Sequence, residues 1–123
     1  MTVDWSNHES RKLFYVQLLN FKIMKLQVHS IHFNADGKLI NFIQRKIDKL
    51  ETFYDRLVDG EVFLRLNNEG IDNKTVEIKL TVPGRKLFAK EQARSFEAAA
   101  DLAIEAIRNQ LKKFKTRRNL GRV

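Results

Sequence analysis

A chain of 123 residues with 43% hydrophobic content has the size of one domain and enough apolar side chains for a modest core. Its net charge of +8, from 23 Lys plus Arg against 15 Asp plus Glu, sets up a positive field that attracts polyanions: nucleic acid, anionic lipid or an acidic protein. The lack of cysteine excludes disulfides and thiolate chemistry and fits a reducing cytosol. The apolar stretch Leu13 to Ile23 is interrupted by Gln17, Asn20 and Lys22, is too short to span a bilayer, and lacks the small-residue cleavage site of a secretory signal. A cytoplasmic protein is expected.

In chain order, the first clear element is a strand over Lys25 to Ile31, where Leu26 and Val28 alternate with Gln27 and His29. A helix follows: Asp36 is its N-cap, and Leu39, Ile43, Ile47, Leu50 and Tyr54 recur at spacings of three and four that place them on one face. Gly60 is read as the end of that unit. Val62, Leu64 and Leu66 alternate with Phe63 and Arg65, and Val76, Ile78, Leu80 and Val82 alternate with Glu77, Lys79 and Thr81, which predicts two strands with one buried face each. Asn67 to Lys74 is the polar loop between them. Pro83-Gly84 turns the chain into a fourth strand, about Lys86 to Gln92. Ser95 caps a last helix along which Phe96, Ala100, Ala103, Ile107, Leu111 and Phe114 form one apolar stripe.

The order β-α-β-β-β-α predicts an α/β (α+β) two-layer sandwich: a four-stranded sheet, with strands two to four as an antiparallel meander and both helices on one face. The other face is expected to be open and to show His29, Arg65, Lys79, Phe88 and Lys90.

The charges point to function. At 100° per residue, Lys38, Arg45, Lys49 and Arg56 on the first helix fall within roughly 40° of one another, and Arg108, Lys112 and Lys115 on the last helix within roughly 60°. Beyond Glu105 the sequence has no acidic residue, while Arg108, Lys112, Lys113, Lys115, Arg117, Arg118 and Arg122 accumulate. A helix C-terminus is stabilised by two or three cations, but seven without a carboxylate repel one another unless an anionic partner is present. Nucleic-acid binding is the reading these charges favour.

Catalysis is not indicated. His29 and His32 are three apart near a strand end and point to opposite faces, so they are expected to be two solvent-accessible histidines rather than a metal site. No Ser or Thr stands in a nucleophile elbow, and no glycine-rich phosphate loop precedes a helix. No enzyme, metal or cofactor is expected.

Two segments carry a resemblance: Lys46-Ile47-Asp48-Lys49-Leu50-Glu51-Thr52-Phe53-Tyr54-Asp55-Arg56-Leu57, and Ala98-Ala99-Ala100-Asp101 with the later Gln110-Leu111-Lys112-Lys113-Phe114-Lys115. In this order, on a chain of this length and charge, the region from about Met24 to Arg118 resembles the short ribosome hibernation promoting factors, also called ribosome-associated inhibitors or sigma modulation proteins. The resemblance implies the same two-layer sandwich. It also implies a plug in the decoding channel of the small ribosomal subunit, where messenger and transfer RNA would pass, that inhibits translation in stationary phase or stress. Carried over by position, it points to Arg45, Lys46, Lys49 and Arg56 on the first helix and to Lys112, Lys113, Lys115 and Arg118 on the last. Asn109 stands where relatives often have arginine, and Phe114 where a histidine is common.

With the charge reading, the residues expected to contact ribosomal RNA are Lys38, Arg45, Lys46, Lys49, Arg56, Lys90, Arg108, Lys112, Lys113, Lys115, Arg117 and Arg118. Fixed cations on rigid helices suit structured RNA, which is recognised through phosphates, ribose hydroxyls and shape. The expected organisation is a ribosome-binding domain over residues 24–118, a flexible basic C-terminus over 119–123, and a stretch over 1–23 with two readings. Met24 is the true start, or Leu13, Phe14, Val16, Leu18 and Leu19 add a strand or short helix. With neither the additional C-terminal domain of the long forms nor an acidic tail, the chain is not expected to pair ribosomes alone. It is expected to be a monomer off the ribosome. Two other readings are a regulatory module binding an acidic protein such as a transcription factor and peripheral membrane binding through Leu13 to Ile23 together with the basic surface.

Overall fold

The structure, a computed structural model, describes residues 24–31, 33–67 and 70–120, and for 118–120 the backbone alone. The expectations for residues 1–23, His32 and 121–123 lie outside the described residues. The elements run β1 (Lys25–Ile31), α1 (Gly37–Phe53), β2 (Asp59–Leu66), β3 (Lys74–Val82), β4 (Arg85–Ala93) and α2 (Phe96–Leu120), in the order β-α-β-β-β-α read from the sequence.

Spatial order in the sheet follows chain order, β1-β2-β3-β4. β1 and β2 are parallel, with Lys25 beside Asp59 and Ile31 beside Arg65, and such a pair needs a crossover, which α1 supplies. β2, β3 and β4 form the expected antiparallel meander. The last hairpin closes through Pro83-Gly84 between the paired Val82 and Arg85; proline fixes one backbone angle and Gly84 sits at φ +80°, the residues a type II turn uses.

Alternation decides which side of the sheet is covered. Val62, Leu64, Val76, Ile78, Leu80, Val82 and Leu87 are buried in one cluster with Leu39, Ile43, Ile47 and Leu50 of α1 and Ala99, Ala100, Ala103, Ile107 and Leu111 of α2. Both helices therefore pack on the same face. Each begins at the expected cap: Asp36 Oδ1 accepts from the Leu39 N–H at 2.8 Å, and Ser95 Oγ from the Ala98 N–H at 3.1 Å.

Two boundaries differ from the sequence reading. α1 ends at Phe53, where Tyr54 turns extended at φ −142° and buries its ring against Phe114. Tyr54 keeps its place in the core without being helical, so an apolar spacing carried through it overruns the helix. Arg56 consequently lies in the turn after α1, not on its ridge. Gly60 is the second residue of β2, not a terminator.

Candidate nucleic-acid interface

On α1, Lys38, Arg45 and Lys49 are exposed along one ridge, and Arg56 is exposed in the turn beyond it. Lys46 is one step off the ridge and faces α2. Its ammonium pairs with Asp101 at 3.3 Å and stands 5.4 Å from the centre of the Phe42 ring. It is thus a bridge between the helices as well as a cation.

The groove between α1 and α2, about 440 Å³, is lined by Lys46, Lys49, Phe53, Asp101, Glu105 and Arg108 with Leu50 and Ile104 at its floor. Phe53 organises its basic end. The Arg108 guanidinium lies 5.4 Å and the Lys115 ammonium 5.1 Å from the centre of its ring. Two cations two turns apart on α2 thus converge on one aromatic of α1, each attracted by the ring's quadrupole by about 0.5–1 kcal/mol at an exposed site. The two basic helices present one surface, acidic at Asp101 and Glu105 and basic from Lys49 through Arg108 to Lys115. Phe53 was not singled out in the sequence; its signal is an aromatic beside the apolar stripe of α1 rather than in it.

The cations of α2 divide between two flanks. Arg108, Lys112 and Lys115 project toward the α1 side, while Lys113 and Arg117 fall on the flank that carries Gln110. Gln110 meets the edge of β4, accepting from the Phe88 N–H and donating to the Phe88 carbonyl. All five cations are exposed. Arg118 continues the helix backbone, and its side chain lies outside the described residues.

Lys90 is separated from this surface by the sheet. It stands on the open face, 3.8 Å from Glu77, which Arg65 also contacts at 3.2 Å. The same face carries His29, Lys79 and Phe88, as expected, and Phe63, whose central role was not foreseen. His29 is not a free histidine. It stacks on Phe63 with ring centres 4.8 Å apart and shares a hydrogen bond with Glu61 at 3.2 Å. Among the described residues no helix is long and apolar enough to cross a membrane.

A curated relative, the ribosome hibernation promotion factor of Deinococcus radiodurans, is 35% identical over 80 residues, covering 62% of this chain and 41% of that protein. The protein of the same name from Bacillus subtilis is 26% identical over 98 residues, covering 78% of this chain and 51% of its own length. The chain thus spans about half or less of the curated relatives it matches. Among solved structures, a ribosomal subunit interface protein from Coxiella burnetii superposes with a TM-score of 0.69 at 18% identity, covering 76% of this chain and 99% of that one. The N-terminal domain of Thermus thermophilus Protein Y gives a TM-score of 0.66 at 20% identity, covering 75% and 99%. At these identities the likeness is one of fold. A family profile matches residues 26–119, from β1 through nearly all of α2, and by that match the chain belongs to the Sigma 54 modulation protein / S30EA ribosomal protein family.

Proposed function

We propose that this domain binds the small ribosomal subunit, occupies its decoding channel through the basic helices, and so inhibits translation and promotes ribosome hibernation under stress. The observation that carries the reading is the convergence of Arg108 and Lys115 on Phe53, which makes a single cationic surface of two helices in a family whose curated members are named for ribosome hibernation. Lys49, Arg108, Lys112 and Lys115 form the centre of that surface. Lys38, Arg45 and Arg56 extend it along α1, and Lys113, Arg117 and Arg118 along α2. Lys46 joins by exchanging Asp101 for a phosphate. Lys90, on the other face, is not part of it. The chemistry is phosphate neutralisation by cations held on rigid elements, which positions a protein on structured RNA without reading bases.

Sedimentation tests the reading. Tagged protein from starved cells should travel with small subunits or whole ribosomes at low salt, and the Lys112→Glu, Lys113→Glu, Lys115→Glu triple variant should stay at the top of the gradient while remaining folded. Affinity should fall steeply with salt, because each neutralised phosphate releases counterions. Failure of the wild-type chain to sediment with ribosomes would end the proposal. A complex that survives ribonuclease would instead indicate an acidic protein partner.

A further inference from the structure

The open face of the sheet is ordered in rows by the strand register. One row runs His29, Phe63, Glu77, Lys90, and the next runs Gln27, Glu61, Lys79, Phe88. His29 and Phe63 are stacked, and on the Phe63 ring the Lys79 ammonium stands 5.1 Å and the Arg65 guanidinium 5.9 Å from its centre. Phe88 lies two strands away and is 48% exposed. Adjacent strands are about 4.8 Å apart, so the Phe63 and Phe88 stations are separated by about 10 Å across the sheet.

One exposed phenylalanine on a protein surface needs no explanation. A histidine–phenylalanine stack, a second aromatic on the neighbouring row, and cations interleaved with both form a pattern with a definite chemistry. Phe88 and the His29–Phe63 stack each offer a π-face on which a nucleobase can stack, and the cations around them offer phosphate contacts, the combination by which sheet surfaces hold single-stranded RNA. The carboxylates do not cancel it. Glu77 is held low in the face by Arg65 and Lys90, two cations for one charge, and Glu61 is engaged by His29. Lys79 and Lys86 add positive charge on either side of Phe88, Lys79 in its row and Lys86 two residues before it on β4.

We infer that this face is a second nucleic-acid site, one that takes unpaired RNA by stacking bases on Phe88 and on the His29–Phe63 pair, with Lys79 and Lys90 against the backbone. It lies on the opposite side of the sheet from the helical surface and does not depend on the ribosome reading.

The test uses the whole chain, off the ribosome, with a short oligouridine and the corresponding abasic oligomer, followed by fluorescence anisotropy at low salt. The oligouridine should bind more tightly than the abasic strand. Phe88→Ala should weaken it by roughly tenfold, within the range for loss of one base–aromatic stack, and leave the abasic strand unaffected. Phe63→Leu, which keeps an apolar side chain in the same place, should weaken it several-fold. In the Lys112→Glu, Lys113→Glu, Lys115→Glu background the loss caused by Phe88→Ala should persist. Equal affinity for the abasic strand, an unchanged affinity in Phe88→Ala, or no binding of oligouridine by the free protein would overturn the inference, the last result favouring a protein partner for this face. Ribosome sedimentation of the Phe88→Ala variant is read separately, so either proposal can fail without the other.

Discussion

The side-chain amide of Gln110 pairs with both backbone groups of Phe88, donating to its carbonyl at 2.7 Å and accepting from its N–H at 3.4 Å. A helix residue thereby imitates a neighbouring strand. β4 is an edge of the sheet, and an edge with unpaired N–H and C=O groups is a template for pairing with another chain. Gln110 blunts that edge at its middle, on the flank where Lys113 and Arg117 add like-charge repulsion between copies.

Gln110→Ala should therefore cost about 1 kcal/mol in chemical denaturation, the net worth of such hydrogen bonds when water can replace them. Its clearer effect should be concentration-dependent association seen by light scattering, stronger still when Lys113 and Arg117 are also neutralised. A variant that associates no more than the wild type at high concentration would show that the edge is protected by other means.

Gly60 has no room for a side chain. A Cβ there would stand 2.7 Å from Leu80 Cδ2, 3.2 Å from Met24 Sδ and 3.3 Å from Leu26 Cδ1, and Leu80 is fully buried. Gly60→Ala should destabilise the domain by about 1–3 kcal/mol through overpacking. Shortening the opposing side chain with Leu80→Val should recover part of that loss in the double variant, a coupling that equilibrium unfolding of the four proteins in the cycle would measure. Strict additivity would mean that the clash is relieved elsewhere.

The crowding at Gly60 also shows what the sequence could and could not disclose. Periods of two and of three to four gave the element order, the covered face and both helix caps, because burial alternates with the backbone geometry itself. They misplaced Arg56, because Tyr54 is buried for tertiary reasons after the helix has ended and a periodic count cannot separate a helical residue from one that follows. They misplaced Gly60, because a glycine kept for close packing within a strand looks in sequence like a terminator. The cations were visible as charges. Their pairing was not: that Lys46 answers Asp101, 55 positions away, and that Arg108 and Lys115 meet over Phe53 depends on how α1 and α2 lie together, which no local pattern specifies.

Lys46 and Asp101 give the proposed interface a built-in restraint. Their pair is half exposed, with side chains 34% and 54% accessible, so Asp101→Asn should change stability by less than about 1 kcal/mol. It should also release Lys46 toward an anion and remove a charge that repels one. RNA affinity should rise, and the slope of log affinity against log salt should steepen by roughly 0.7–0.9, the value of one further phosphate contact. Phe53→Leu should do the opposite in kind: affinity falls several-fold because Arg108 and Lys115 lose their common seat, while the salt slope stays nearly the same because no charge is removed. Isothermal titration at four salt concentrations separates the two, and a changed slope in Phe53→Leu would mean that the ring does more than position the cations.

Glu51 offers a test through pH. Its carboxyl accepts the Met24 N–H at 3.2 Å at the junction of α1 and β1. Burial raises its pKa above the ordinary 4.5 and outweighs the lowering effect of that hydrogen bond, and the nearby Asp48 raises it further. The folded protein then holds this proton more tightly than the unfolded chain does. Between 4.5 and the raised value the native state binds more protons, so the contribution of Glu51 to stability is greatest below 4.5 and declines as pH rises through the folded pKa. Glu51→Gln keeps an oxygen to accept from Met24 and removes the charge that burial disfavours. Its stability relative to the wild type should therefore increase as pH rises from the acid range toward neutrality and then level off, with the glutamine variant the more stable at pH 7. Urea midpoints of both proteins across that range would check it, and a difference that does not vary with pH would show that Glu51 feels the same environment folded and unfolded.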